Sequence, residues 1–222
     1  MATHVQWQAI RERVWACEAC KGHARVEINV REQTPAPALP IALLFAGVAP
    51  PDQGSPANRI AAKSATNDPE DNLRKFIEAV TDSRWDDLIA EHAFLIHAVK
   101  CAIVPDEEGF QNPPNEIVDR CCPVGFADEL LFLRPARIVG FGAAARRAIL
   151  KHPSVTAPPG VGVSKTIEKL KEAWPKGIPC RLGSCEFTLH PAPFPRSAAA
   201  KQDAAVIIRE ATRLAGLGNA AG

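Results

Sequence analysis

The chain has no apolar run of the roughly 18 residues needed to cross a membrane, which excludes a helical membrane span. Its first residues, MATHVQWQAIRERV, carry charges where a secretion signal has an uninterrupted apolar stretch, so a cytoplasmic protein is expected. Charge of one sign is not in excess either. Lys and Arg number 26 against 25 Asp and Glu, a formal net charge of +1. That excludes a histone-like binder but leaves room for a local basic groove, because steering depends on how charge is distributed. Internal repeats and low-complexity segments are absent. The cysteine count is odd, at seven, and without a secretion signal this argues against a disulfide framework. In a reducing compartment such thiols bind metal, do chemistry, or pack as small apolar residues.

What is present fits one globular domain spanning 1–222, with 46% hydrophobic and 23% charged residues. The spacing predicts an amphipathic helix over 5–21, with Val5, Ile10, Val14 and Trp15 near one face and Cys17 and Cys20 at its end. A Pro-rich linker (34–40) follows, then a strand-length apolar run, IALLFAGV (41–48), of the kind buried in parallel sheets. Residues 51–69 read as a long loop. Helix 71–80, strand 94–101 and a Pro-opened helix from 113 to about 133 come next. Strand 136–142 and its following helix precede a Pro/Gly-rich stretch, 153–163, and a short helix, 164–173. Strand 185–191 is interrupted by Pro191, and helix 197–216 closes the chain. Alternating strands and helices predict a three-layer α/β/α sandwich with a central, mainly parallel, four-stranded sheet. Ligands of such sheets bind beyond the carboxyl ends of the strands. Asp52, His97, Lys100 and His190 are the polar residues near those ends.

Cys17-x-x-Cys20 offers two ligands to one metal centre, and Cys101 and Cys121 come from distant elements. Four thiolates suit either zinc or an iron–sulfur cluster. A C-x-x-C alone is a weak signal, and the same cysteines also read as packing residues. Cys122, Cys180 and Cys185 are taken as structural.

Six segments taken together say more. They are Cys17-Cys20, the strand-turn Gly47 to Pro50, His97 to Cys101 (HAVKC), Pro113 to Pro123 (PPNEIVDRCCP), Gly142 to Ala145, and His190-Pro191. In order and spacing the chain resembles the uracil-DNA glycosylase superfamily, particularly its iron–sulfur branches. Those carry C-x-x-C, then G-E-A-P-G or G-L-A-P-A, N-x-V-[KR]-C, P-x-x-E-x4-C-x-P, G-x-x-A and H-P-S. The resemblance covers nearly the whole chain. It implies a single glycosylase-like domain, expected as a monomer, that acts on DNA containing uracil or another deaminated base. It also implies a 4Fe-4S cluster on Cys17, Cys20, Cys101 and Cys121. Cys121 is preferred to Cys122 because one residue separates it from Pro123 and Glu116 stands five residues before it.

The active-site segments depart from that pattern. Val48 stands where the family has an acidic residue, and the nearest carboxylate is Asp52. The stacking aromatic has no counterpart in 54–66. His97 replaces the base-reading asparagine, and Ala192 replaces the final serine. Hydrolysis of an N-glycosidic bond requires a base out of the stack, a donor to the departing base, and a group that supports the sugar cation and water. The resemblance assigns the donor to His190 and leaves the last role to Asp52. Gly47, Val48, Ala49 and His97 would line the base pocket, and Phe194 and Arg196 would meet DNA as wedge and phosphate contact. Read alone, His97 within FLIHAV is a core histidine, Asp52 a turn residue and Phe194 ordinary loop packing. His97 cannot copy an amide's paired donor and acceptor, so base preference need not be uracil. Two alternatives stay open: a non-catalytic iron–sulfur member of the fold that binds nucleic acid, and a zinc-stabilised α/β protein unrelated to DNA.

Overall fold

Three short apolar runs, LLFAG, AFLIH and RIVGF, become neighbouring parallel strands because helices on both faces leave them no solvent side, and CEFTLHPA, exposed at Glu186, joins them as the fourth. The computed structural model describes residues 2–17, 41–47, 69–90, 92–98, 113–121 and 125–217. In chain order its elements are α1 (Ala2–Trp15), β1 (Leu43–Gly47), α2 (Pro69–Thr81), α3 (Trp85–Ala90), β2 (Ala93–His97), α4 (Asn115–Cys121) and α5 (Ala127–Leu133). They continue with β3 (Arg137–Phe141), α6 (Gly142–Leu150), β4 (Val155–Thr156), α7 (Ile167–Ala173), β5 (Ile178–Leu182), β6 (Cys185–Ala192) and α8 (Ala198–Leu214).

The strand order is β2-β1-β3-β6-β5-β4. The first four are parallel, and β5 and β4 are added antiparallel. The four predicted strands are therefore the parallel part, and the expected four-stranded sheet is corrected to six. β5 was missed although IPCRL alternates, with Ile178, Cys180 and Leu182 buried and Pro179 and Arg181 exposed. Proline within a run argues against a strand. Here it is tolerated because β4 pairs only with Arg181 and Leu182, leaving Pro179 without a partner on that side among the described residues. Pro191 does not interrupt β6 either. Thr188 N donates towards β3, to Ala136 O at 3.0 Å. By alternation the nitrogen of Pro191 faces the β5 side, where pairing has already ended at Ile178 and Leu189.

Strand alternation divides the core in two. Leu44, Ala46, Phe94, Ile96, Ile138 and Leu189 face a cluster completed by α1, α4, α5, α6 and α7. Leu43, Phe45, Leu95, Val139 and Phe141 face the other, completed by α2, α3 and α8. Trp7 is the largest contribution of α1: it is fully buried and meets Phe94 edge-on, with centroids 5.8 Å apart. The buried face of α1 is Trp7, Ile10 and Val14, whereas Val5, expected there, is 65% exposed.

One helix boundary also differs from expectation. α1 stops at Trp15, and a tight bond from Cys17 N to Val14 O at 3.2 Å ends the turn, so Cys17 lies just beyond the helix. Of the helix expected from 113 to about 133, the described residues show α4, and a π-helical turn at 125–126 running into α5; residues 122–124 lie outside the described residues.

Candidate functional site

The connections out of β1 and β3 run in opposite directions: β1 leads to β2 on one side, β3 to β6 on the other. The crevice beyond their carboxyl ends is the switch point at which doubly wound sheets bind ligands. Register places Gly47 level with His97, and Phe141 level with Ala192. Four segments far apart in the sequence thus end at one sheet edge. Gly142 opens α6 with φ +78, and a Cβ there would stand 3.6 Å from Phe194 Cβ. The left-handed backbone is what requires glycine at this junction.

His97 is buried, on the α2/α3/α8 face of the sheet at the end of β2. His190 is buried on the same face of β6, but level with Val139, two residues below that edge. Three strand spacings separate the two, on the order of 14 Å sideways. His190 Nε2 lies 3.4 Å from Arg137 Nη1. Guanidinium has only donors, so Nε2 is the acceptor and Nδ1 carries the proton. The opposite ring edge lies along Gly177. A Cβ there would come within 2.8 Å of His190 Cε1 and 2.5 Å of Thr188 Cγ2, and φ is +90. Burial above all, then the Arg137 charge, lowers the imidazole pKa to about 4, with Glu210 opposing. The ring is therefore neutral at pH 7. The proton it can donate is then the one on Nδ1, on the Gly177 side of the ring.

Phe194 is half-buried, and the exposed Arg196 sets its guanidinium 5.1 Å from the Phe194 ring centroid, a cation–π pair. Arg196 N also donates to Phe194 O at 2.8 Å. The two expected DNA contacts thus form one unit above Gly142.

Val48, Ala49 and Asp52 lie outside the described residues, as do Cys20, Cys101 and Cys122. Cys17 follows α1, and Cys121 is the last residue of α4, buried on the side of the sheet that α1 also covers. Among the described residues no three His, Cys, Asp or Glu side chains gather as a metal site. Cys180 and Cys185 are buried free thiols on that same face; burial pushes Cys180 up to about 12 and raises Cys185 as well, which makes both packing residues. Sequence reading missed Arg137, Gly177 and Glu210. Only an arginine opening an otherwise apolar strand hinted at the first. Comparison with known protein families and with curated proteins finds no match to this chain.

Proposed function

We propose that the protein is a DNA glycosylase that hydrolyses the N-glycosidic bond of uracil or a related deaminated base, with a 4Fe-4S cluster on Cys17, Cys20, Cys101 and Cys121. The observation that supports this reading most is the convergence of Gly47, His97, Gly142 and the Pro191–Ala192 segment at the carboxyl edge of the parallel strands. When bound, the cluster cross-links the N-terminal helix to the layer carrying α4. The reaction itself needs only water: oxygen bonds to C1′, the C1′–N bond breaks, its electron pair leaves with the base, and a water proton neutralises the product. His97 offers one hydrogen bond to a base edge, Asp52 a carboxylate for the sugar cation and water, and His190 a neutral N–H for the leaving base. Phe194 and Arg196 fill and flank the space left by a flipped nucleotide.

A second reading, a non-catalytic nucleic-acid-binding member of the same fold, is favoured by one specific contact, the Nε2 of His190 turned to Arg137. Incubation with labelled single- and double-stranded DNA containing uracil, hypoxanthine or xanthine, followed by alkali, separates the two. Strand breaks at the altered base are the expected outcome; none on any substrate hands the case to the second reading. A brown preparation with visible thiolate-to-iron absorbance is expected, and a colourless zinc protein would overturn the cluster.

A further inference from the structure

The antiparallel addition to the sheet differs from the rest of the chain in charge. Residues 151–181 hold six Lys and Arg against two Glu and no Asp, while the remainder holds twenty against twenty-three. A near-neutral total conceals this asymmetry.

Topology puts the basic part beside the candidate site. β5 runs antiparallel to β6, so its first residue, Ile178, pairs with Leu189 near the carboxyl end of β6. α7 ends only five residues before Ile178 and therefore lies at the carboxyl edge. Its packing agrees: Leu170 joins the core on one face of the sheet, and Ile167 packs against the core on the other. α7 straddles the edge. The segment leading into it is tied to α6 by Arg146, whose Nη2 donates to Val163 O at 3.0 Å.

Lys165, Lys169, Lys171 and Lys176 are all exposed, and none forms an ion pair with another described residue. Glu168 and Glu172 offset half of this charge and leave the unit from 161 to 177 at a net +2. The Glu168 carboxyl is held low by hydrogen bonds from its own backbone and from the Thr166 hydroxyl, with Lys171 and Arg146 adding to the effect, so it stays ionised at neutral pH. Four exposed ammonium groups against two carboxylates on one edge-capping unit fit a polyanion with regularly spaced charge. Point charges on flexible stems suit phosphates without reading sequence.

We infer that the unit from 161 to 177, centred on α7, is a phosphate-backbone contact surface that holds the nucleic acid flanking the site, in addition to Phe194 and Arg196. This rests on the proposed nucleic-acid substrate. The test measures binding of an undamaged oligonucleotide across a salt series, so it does not depend on excision. The triple variant Lys165→Gln, Lys169→Gln, Lys171→Gln should weaken binding about tenfold or more and flatten the salt slope by about one unit per lysine that touches a phosphate. Lys75→Gln, Arg84→Gln, Arg134→Gln removes the same charge from exposed positions elsewhere and should leave the slope as in the wild type. Equal effects of the two triples, or no effect of the first, would overturn the inference. So would wild-type binding to poly-glutamate as tight as to DNA and equally lysine-dependent, since the partner would then be any acidic polymer. Intact lysine-dependent binding by a wild type that excises no base leaves this inference standing and removes only the catalytic reading.

Discussion

β1, β2, β3 and β6 run parallel with nearly every side chain buried, whereas β5 alternates strictly between core and solvent and β4 contributes two residues. The parallel strands are held by what covers them on both faces; the antiparallel pair is held by register on β6. A residue in the first region therefore matters through volume, and one in the second through backbone shape and its cross-strand neighbour. Phe45 is the sharpest case of the first kind. It is fully buried on β1, an interior strand of the sheet, and touches Trp85 and Phe141, with centroids at 6.0 and 6.2 Å. Phe45→Ala should cost about 3–5 kcal/mol in urea unfolding. A loss no larger than that of an exposed substitution would break the contrast.

Gly177 represents the second kind. Alanine there meets both a left-handed φ of +90 and a Cβ position 2.5 Å from Thr188 Cγ2. Gly177→Ala should cost about 1–3 kcal/mol. It should also displace the His190 ring, read as a change in that histidine's NMR titration. An unchanged His190 signal would mean that the ring does not lie on this glycine.

These regions also explain what was legible. LLFAG, AFLIH and RIVGF announce themselves because burial on both faces removes any need for polar residues, and Ser197 marks α8 by accepting from Ala200 N at 3.2 Å. β5 hid behind Pro179. For the site, Gly47 and His97 were legible because each ends its own strand. The company of His190 was not: Arg137, Gly177 and Glu210 come from β3, the lead into β5, and α8. They meet only through strand register and the packing of α8 on the sheet, neither of which a linear sequence displays.

His190 links the two halves through its pH response. Burial and Arg137 put its folded pKa at about 4, below the ordinary 6.5. As pH falls, the unfolded chain takes up the proton first, so stability from the neutral ring is fully present above about pH 6.5 and is lost as pH drops towards 4. His190→Gln keeps an acceptor for Arg137 and removes the titration. The wild type should lose more stability than this variant between pH 7.5 and 4.5. Parallel losses would mean that the ring titrates normally in the fold.

The smallest effect is expected where neither core burial nor strand register is at stake, at the pair joining α4 to α6. Arg147 Nε donates to Asp119 Oδ1 at 2.7 Å, and its Nη2 to Oδ2, a bidentate geometry. The Arg147 hydrogen bond, with the Arg147 and Lys151 charges, holds the Asp119 carboxyl below its usual 3.8 against the opposing effect of burial. A depressed carboxyl contributes stability above the unfolded pKa and loses it as pH falls through the folded one, so the pair is intact at neutral pH and fails only in acid. Both partners reach solvent, so salt screens the attraction. Asp119→Asn should lower the melting temperature slightly at low ionic strength and less at high, while leaving wild type and variant equal once the medium is acid enough to protonate Asp119. A loss as large as that of Phe45→Ala, or one insensitive to salt, would show that the α4–α6 contact is part of the core and not a surface clamp upon it.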